Sequence, residues 1–377
     1  MNSFLDHSTA VLDIAPPQTR RGVRPRTDHR VGMWSSPAVI APNNFVYKSL
    51  SDWAFNIAVG CSHACRFCYV PSAATIKQGP KLAEYGVKDP DAEWGDYVLL
   101  RPWEEDKFLS SLRAAENTPR SQLKRDGNRA VMYCSTTDPY QVIHHPDPER
   151  QRMLSAHARR LVRRSLELIR DHSTLNVRIL TRSPLARADF DLFESFGPRL
   201  LFGMSLPTLR NDLSKIYEPK APAPSQRLAT LRAAHEAGLN VYVAVAPTYP
   251  ECDEEDLRAT LQAVAEIKPV TIFHEPINIR AENVERIQTH ADELGVALKT
   301  DVFESRERWQ DYAVNALQTV ERLAAEVGVA DRLHLWPDKS LGNIGVANRM
   351  PKPRDYLRWL RNSWSRVSEW PKYRIGT

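Results

Sequence analysis

Three cysteines lie close together in the stretch GCSHACRFC, which contains Cys61, Cys65 and Cys68, whereas only two more occur in the remainder of the 377 residues. Thiolates bind metals, and three closely spaced cysteines can each hold one iron of a 4Fe-4S cluster. The fourth iron of such a cluster then has no protein ligand and is open to another molecule. Gly60 before the cysteines and the polar residues between them favour a loop. The sequence therefore predicts a cluster site with one open coordination position.

Two other interpretations of the same stretch remain open. Spacings of four and then three residues also place side chains on one face of a helix, where the cysteines would pack as small hydrophobic residues. Alternatively, His63 and the three cysteines are four side chains of the types that bind zinc. All four lie within eight positions, and no second pair of ligands follows. Their tetrahedron would be cramped, so the sequence favours the iron-sulfur cluster over zinc.

The composition limits the classes of protein in which this site can occur. Five cysteines in 377 residues are too few, and odd in number, for the disulfide framework of a small secreted domain. The N-terminus has no basic segment followed by an apolar run, and no stretch approaches the roughly 20 apolar residues of a membrane helix. We therefore expect a soluble, cytoplasmic protein without a membrane partner. A formal net charge of +5 permits an anionic partner such as nucleic acid without indicating a dedicated binder.

Six short apolar runs alternate with amphipathic segments along the chain. The runs read WAFNIAV, RAVMYCS, NVRILT, RLLFGMSL, NVYVAVA and VTIFHE. Apolar spacings of three and four between them indicate helices, and this alternation predicts parallel strands joined by crossover helices. The expected fold class is therefore α/β, as a barrel or a doubly wound sheet. In both architectures functional residues collect at the C-terminal ends of the strands, where this chain has GCSHACRFC, STTDPY, TRSP, SLPT, APTYP and EPIN.

The chain is expected to have three parts. Residues 1–50 include a segment rich in proline and arginine without apolar periodicity, which predicts an extended or disordered arm. Residues 51–300 hold the alternating strands and helices. Residues 301–377 are expected to form a helical C-terminal extension, and the aromatic residues of its last helix, RDYLRWLRNSWSRV, indicate core packing. No glycine-rich phosphate loop follows the first strand, which argues against a Rossmann dehydrogenase or a P-loop enzyme.

The spacing C-x3-C-x2-C, with Phe67 directly before the third cysteine, resembles the cluster motif of the radical S-adenosylmethionine (SAM) superfamily. The resemblance implies a partial (β/α)6 barrel similar to a TIM barrel, a 4Fe-4S cluster on the three cysteines, and SAM bound to the open iron. It also implies that a reductant such as flavodoxin or ferredoxin supplies an electron. SAM is then cleaved to a 5'-deoxyadenosyl radical that abstracts hydrogen. Phe67 would pack near the adenine of SAM; its alternative role is core packing.

A closer resemblance, over roughly residues 53–280, is to the spore photoproduct lyase-like branch of this superfamily. It is carried by GCSHACRFCYVP, TTDPYQ, ILTRSPLARADFDLF and EPIN, and it implies a DNA photolesion as substrate. Radical modification of a peptide or a small metabolite is an alternative, and a zinc-stabilised nucleic-acid-binding module is the alternative from another class. The chain departs from this branch where Thr181, Arg182 and Ser183 replace a Thr-Lys-Ser run, which changes the reach and geometry of the basic side chain.

The same resemblance implies contacts to SAM from the strand ends. Thr136, Thr137 and Asp138 would lie near the methionine end, although such residues also suit a turn before a helix. Arg182 would face the carboxylate of SAM, or alternatively pair with a nearby surface carboxylate. Ser205, at the end of the fourth predicted strand, would meet the ribose hydroxyls, or else satisfy its hydrogen bonds within the strand end.

The catalytic residues beyond these remain unknown from the sequence, and Cys134 is the one candidate. Spore photoproduct lyases use a cysteine in this part of the barrel as a hydrogen-atom donor. In the lyases this cysteine precedes a Cys-Thr-x-Asp run, whereas Cys134 is one residue farther from Asp138 than that spacing. A shift of one residue along a strand turns a side chain to the other face. If the strand runs regularly to Ser135, Cys134 should face the helices as a small buried hydrophobic residue. A bulge would instead return it to the interior.

Overall fold

The computed structural model describes residues 27–43, 50–280, 282–368 and 370–371. Eleven β-strands occur in this part of the chain. They are β1 (Val31–Met33), β2 (Ile40–Pro42), β3 (Trp53–Phe55), β4 (Ala58–Gly60), β5 (Val98–Leu100), β6 (Ala130–Tyr133), β7 (Asn176–Thr181), β8 (Leu200–Ser205), β9 (Val241–Thr248), β10 (Thr271–Pro276) and β11 (Leu333–Leu335).

Eleven α-helices lie among the same described residues. They are α1 (Gly79–Glu84), α2 (Glu105–Glu116), α3 (Pro148–His172), α4 (Phe190–Ser195), α5 (Asn211–Tyr217), α6 (Pro224–Glu236), α7 (Glu254–Glu266), α8 (Asn283–Leu294), α9 (Arg306–Val327), α10 (Ile344–Arg349) and α11 (Pro353–Ser365). The longest, α3, begins where Asp147 accepts hydrogen bonds from the main-chain nitrogens of Glu149 and Arg150, with Pro148 at its first position. These are the residue types that favour a helix start.

The main sheet has eight strands in the order β11-β10-β9-β8-β7-β6-β3-β2. Every neighbouring pair from β3 to β11 is parallel, and β2 adds to β3 in the antiparallel direction. Helices follow the strands as crossovers, as the alternating sequence pattern predicts. The sheet keeps free edges at β2 and β11, so the barrel is partial and not closed. This architecture confirms the expected α/β partial barrel.

The first and last strands of the barrel differ in detail from the sequence expectation. The run WAFNIAV is not one strand: β3 belongs to the main sheet, whereas β4 pairs with β5 in a separate sheet of order β1-β5-β4. In the C-terminal part, Leu333–Leu335 pairs with β10 and continues the barrel by one strand. Of the expected N-terminal arm, residues 27–43 contain β1 and β2, and the remainder lies outside the described residues except Leu50.

The outer and inner faces of the main sheet pack into two different hydrophobic clusters. The larger one lies under the helices and includes Val177 and Ile179 of β7. A smaller one fills the barrel interior and contains Leu50, Met132, Leu201, Tyr242 and Phe273. Because successive side chains of a strand point to opposite faces, residues 178, 180 and 182 at β7 share the inner face. The same alternation gives inner positions to Ser205 of β8 and Glu275 of β10.

The final helix, α11, packs on the outer core as its sequence indicates. Tyr356 and Leu360 are buried within the larger cluster, and Trp359 and Trp364 pack against it. Among the described residues, no helix is both long and apolar enough to span a lipid bilayer.

Candidate active site

The three closely spaced cysteines lie in a loop that follows β4, residues 61–69, which we call the cysteine loop. Cys61 and Cys65 are buried, Cys68 is half-buried, and all three are free thiols. Gly60, the last residue of β4, directly precedes the loop, and its φ of 92° lies in the region that favours glycine. A Cβ atom there would come within 2.1 Å of the carbonyl oxygen of Tyr97. The close approach of two chain segments therefore requires glycine at the start of the loop.

Burial raises the pKa of each of the three thiols, Cys61, Cys65 and Cys68, to about 12. Metal ligation requires the thiolate, so a bound metal would have to displace a proton from each. Among the described residues, no group of three or more His, Cys, Asp or Glu side chains is arranged to hold a metal ion. That finding concerns sites for a single ion, whereas in a 4Fe-4S cluster each thiolate binds a different iron. Cys61, Cys65 and Cys68 are three soft sulfur donors from one loop, a donor set that fits a cluster with one open iron.

A short hydrogen-bonded chain fixes the start of the cysteine loop to the segment after β6. The hydroxyl of Thr137 donates to the carbonyl oxygen of Gly60 at 2.6 Å, and the amide of Gln141 donates to the Thr137 hydroxyl at 2.6 Å. The side-chain oxygen of Gln141 accepts a hydrogen bond from the nitrogen of Ser62 at 2.7 Å. Thr137 thus holds the loop through its side chain; its contact with SAM stays a prediction.

The other end of the cysteine loop is held by α8, which sequence reasoning did not connect to the site. The amide of Asn283 donates to the carbonyl oxygen of Phe67 at 3.2 Å. The guanidinium of Arg286 donates to the carbonyl oxygens of Arg66, at 3.2 Å, and Cys68. These contacts join residues more than 200 positions apart, and no local sequence pattern indicates them.

Asp138 joins three segments at the mouth of the barrel. Its carboxylate accepts hydrogen bonds from the nitrogens of Tyr140 and Arg182, both at 2.8 Å, and from the hydroxyl of Thr181 at 2.7 Å. The Nδ1 atom of His63 lies 3.5 Å from it. The carboxylate is thus engaged by the protein itself and ties β6 and β7 to the cysteine loop. Its predicted position at the methionine end of SAM remains a prediction.

Arg182 lies beside the cysteine loop on the inner face of the barrel. Its Nε donates to Glu218 at 2.6 Å, and its guanidinium lies 5.6 Å from the centre of the Phe67 ring. Burial opposes the charged form, but the neighbouring Cys65 and Glu218 outweigh this effect and raise the pKa of Arg182 above its ordinary value. Within the described residues, the two terminal nitrogens have no hydrogen-bond partner. They form a fork that suits a carboxylate.

Ser205 and Thr136 take different positions around this centre. Ser205 ends β8, is buried, and shares the inner face with Arg182 on the neighbouring strand. Thr136 uses its main-chain nitrogen to donate to the side chain of Asn56 at 2.9 Å. The structure therefore brings the predicted residues Phe67 and Arg182 into contact and places Ser205 one strand away. The roles of these residues toward SAM remain predictions.

Cys134 is buried one residue after the end of β6. The strand does not continue to Ser135, and the preceding Tyr133 faces the helices, since its hydroxyl lies 2.8 Å from Ser165 of α3. Cys134 belongs to the larger core cluster with Tyr133. Burial raises the pKa of its thiol, and Asp138 and Cys61 raise it further. Cys134 therefore packs in the core close to the cysteine loop.

Glu275, on the inner face at the end of β10, is a residue of the mouth that sequence reasoning did not single out. Burial raises the pKa of its carboxyl to about 7, partly opposed by Arg280. Burial raises the pKa of Tyr69 in the cysteine loop, and the charges of Cys68 and Glu275 raise it further. The motif EPIN indicated this position, because a glutamate at the C-terminal end of a parallel strand lies where ligands bind.

Comparisons with known proteins agree with this geometry. A family model described as the radical SAM superfamily matches residues 55–264, more than half of the chain. The chain belongs to the radical SAM superfamily and is a radical SAM enzyme.

Two relatives are uncharacterized proteins. One, from Acidianus two-tailed virus, is 32% identical over 266 residues, covering 67% of this chain and 79% of the relative. The other, from Methanocaldococcus jannaschii, is 23% identical over 274 residues, covering 72% of this chain and 87% of the relative.

Solved structures of spore photoproduct lyase share the fold. The lyase complexed with dinucleoside spore photoproduct has a TM-score of 0.57 at 15% identity, covering 82% of this chain and 83% of that chain. A mutant of the lyase with bound AdoMet and dinucleoside spore photoproduct has the same TM-score and identity, covering 85% and 86%. At this identity the likeness concerns the fold alone. Because the family consists of enzymes, the alternative of a zinc-stabilised binding module is set aside.

Proposed function

We propose that this enzyme holds a 4Fe-4S cluster on Cys61, Cys65 and Cys68 and uses it to cleave SAM reductively, so that hydrogen is abstracted from a substrate. The observation that carries the proposal is the placement of three free thiols, two buried and one half-buried, in one loop at the mouth of the partial barrel. When bound, the cluster supplies the electron for cleavage and an open iron for SAM.

The chain's own residues would bind and orient SAM beside the cluster. The fork of Arg182 is placed to pair with the carboxylate of SAM, and the Phe67 ring beneath it offers an apolar face toward the adenine. Ser205, on the same inner face, is placed to meet the ribose hydroxyls. The surrounding burial excludes water, which strengthens each of these polar contacts.

For the substrate, we propose a DNA photolesion of the dinucleoside type. Support comes from the fold shared with a lyase whose structure contains dinucleoside spore photoproduct, and from the net charge of +5, which suits an anionic backbone.

Anaerobic reconstitution with iron and sulfide tests the cluster. We expect about four irons per chain, and, with a reductant, formation of 5'-deoxyadenosine and methionine from SAM. Replacing any one of Cys61, Cys65 and Cys68 by alanine should abolish both, because a thiolate ligand is lost. Cys252→Ala is the matched control, since this cysteine lies outside the cysteine loop. Full turnover in the triple-alanine variant would contradict the assignment.

A second assay tests the substrate separately. The reconstituted enzyme is incubated with dinucleoside spore photoproduct, SAM and dithionite, and loss of the lesion is followed by chromatography. We expect SAM-dependent loss of the lesion. Cleavage of SAM without any loss of the lesion would leave the cluster chemistry intact and reject this substrate class.

A further inference from the structure

The connection that follows α5 lies directly against the cysteine loop. The main-chain nitrogen of Arg66 donates to the carbonyl oxygen of Tyr217 at 2.9 Å. The nitrogen of Lys220 donates to the carbonyl oxygen of His63 at 3.3 Å. These two hydrogen bonds flank Glu218 on either side along the chain. The main chain of Glu218 is therefore held in place relative to the cysteines.

The carboxylate of Glu218 lies between two arginines. One oxygen accepts from the Nε of Arg182 at 2.6 Å, and the other forms an ion pair with Arg227. The side chains of Glu218 and Arg227 are fully buried. Burial raises the pKa of Glu218, but Arg227 and Arg182 outweigh it and lower the pKa to about 2. The carboxylate is thus ionised at neutral pH and fixed from both sides.

Arg227 in turn is anchored to the end of β8. Its Nη1 donates to the carbonyl oxygen of Ser205 at 3.2 Å, and its Nε donates to the carbonyl oxygen of Pro222 at 2.8 Å. The line of contacts therefore runs from Ser205 through Arg227 and Glu218 to Arg182. All of its members except Arg182 are fully or almost fully buried, so there is little room for alternative rotamers.

Glu218 consequently limits the conformations of a long, flexible side chain. An arginine has many rotamers, and a contact to one ligand group is effective only when its guanidinium is already oriented. Glu218 engages the Nε of Arg182, while Asp138 engages its main-chain nitrogen at 2.8 Å. Both contacts leave the two terminal nitrogens of Arg182 without a hydrogen-bond partner among the described residues, so this end of the guanidinium is available to a ligand. This is the arrangement that a bidentate carboxylate contact requires.

We infer that Glu218, clamped by Arg227, is a positioning residue that orients Arg182 toward the carboxylate of SAM. The inference rests on the proposed function of the cysteine loop and deepens it. Glu218 would not touch SAM or the cluster, and its removal should act on SAM only through Arg182.

The test compares Glu218→Gln, Arg182→Gln and the double variant in the reconstituted, full-length enzyme. Iron content reports the cluster, and the change in its EPR spectrum with added SAM reports SAM affinity. We expect wild-type iron content in all three. SAM affinity should fall about tenfold or more in Glu218→Gln. In the double variant it should equal that of Arg182→Gln alone, because Glu218 has no further route to SAM. Glu116→Gln, which removes another glutamate paired with an arginine outside the site, is the control and should bind SAM normally.

A second readout uses the cluster-free protein. Nitrogen-15 labelling of arginine gives an Nε–H signal for Arg182, assigned by its loss in Arg182→Lys. We expect its hydrogen exchange to accelerate at least tenfold in Glu218→Gln, because the buried acceptor is weakened. Should Glu218→Gln fail to fold, Glu218→Asp, which withdraws the carboxylate by one methylene, replaces it in both measurements.

Unchanged SAM affinity in the folded Glu218 variant would overturn the inference, and so would unchanged hydrogen exchange at the Nε of Arg182. A third contrary result is a loss of SAM affinity from Glu218→Gln that is as large in the Arg182→Gln background as in wild type. Failure of the proposed function has a different signature, since wild-type protein would then fail to bind iron or to cleave SAM.

Discussion

Two arginines on the inner face of the barrel, Arg178 within β7 and Arg182 directly after it, have opposite surroundings although they are only four residues apart. Arg178, deep in the barrel, is fully buried, and its guanidinium lies 5.0 Å from the ring centre of Tyr242, 5.1 Å from Trp370 and 5.8 Å from Phe273. Among the described residues, neither of its terminal nitrogens has a hydrogen-bond partner. Arg182, at the mouth, pairs with a carboxylate and retains some exposure. Burial lowers the pKa of Arg178. At Arg182 the neighbouring Cys65 and Glu218 outweigh burial and raise the pKa.

The comparison shows that depth in the barrel decides what an arginine does. At the deeper position the cation packs against aromatic faces and fills space, with its Nε bonded to the carbonyl oxygen of Leu50 at 3.2 Å. At the mouth, the same residue type is held by Glu218 through its Nε, and its terminal nitrogens have no partner in the part of the chain that the structure describes. We therefore expect substitutions at Arg178 to affect stability and substitutions at Arg182 to affect ligand binding.

Arg178→Ala gives the largest expected effect. The truncation leaves a cavity among the aromatic rings, so the free energy of unfolding should fall by about 3 kcal/mol. Urea unfolding of the cluster-free protein measures it. Arg178→Met is the control: it keeps most of the volume and removes a buried charge that lacks full hydrogen bonding, so its loss should be much smaller. A fall in SAM affinity of the folded Arg178 variants would contradict the division of roles.

Arg182→Ala should act in the opposite way. Loss of a charge-assisted contact weakens SAM binding by about 2–3 kcal/mol, or roughly 30- to 150-fold, with iron content retained because no metal ligand is removed. SAM titration followed by EPR provides the measurement. Arg232→Ala, a surface arginine paired with Glu266, should leave SAM affinity unchanged. Equal SAM affinity in Arg182→Ala and wild type would show that the mouth position has no role in binding.

Glu275→Gln tests the mouth through pH. The carboxyl has a pKa raised from 4.5 to about 7 in the folded protein. Below pH 4.5 it is protonated in both states. As the pH rises from 4.5 to about 7, the carboxyl ionises in the unfolded state but stays protonated in the folded state, so wild type loses stability; above about 7 both states are ionised and the loss is complete. The variant should therefore gain about 1–2 kcal/mol over wild type between pH 4.5 and 8, less than the full shift because the carboxyl keeps some solvent access. Urea unfolding of both proteins across this range is the measurement, and a difference that does not change with pH would contradict it.

Cys134→Ala has the smallest expected effect. The cysteine packs as a small hydrophobic residue in the outer core, so its loss should lower the free energy of unfolding by about 1 kcal/mol and leave substrate-dependent turnover intact. Product analysis by mass spectrometry, with Cys252→Ala as the control, checks this. An oxidised by-product that accumulates only in Cys134→Ala would instead make this thiol a hydrogen-atom donor, as its proximity to Cys61 and Asp138 would then permit.

Much of the fold and the centre of the site follow from local patterns. Alternating apolar runs and amphipathic helices repeat along the chain, and such a pattern has few compact solutions other than parallel strands with crossover helices. GCSHACRFC is equally local, because three ligands within eight residues need no long-range contact to be recognised. By contrast, the three-residue strand β11 and the division of WAFNIAV between two sheets depend on pairing with distant strands, which local pattern does not report.

The sequence by itself therefore determined the class of fold, the cysteine loop and the strand ends at which ligand-binding residues collect. Only the tertiary structure decided which of those residues support the others. It placed Asp138 among main-chain and hydroxyl donors, joined Glu218 to Arg182, and brought Arg286 of α8 to the cysteine loop. The physical reason is that buried charges must find partners, and those partners come from whichever segments packing brings near, regardless of their distance along the chain.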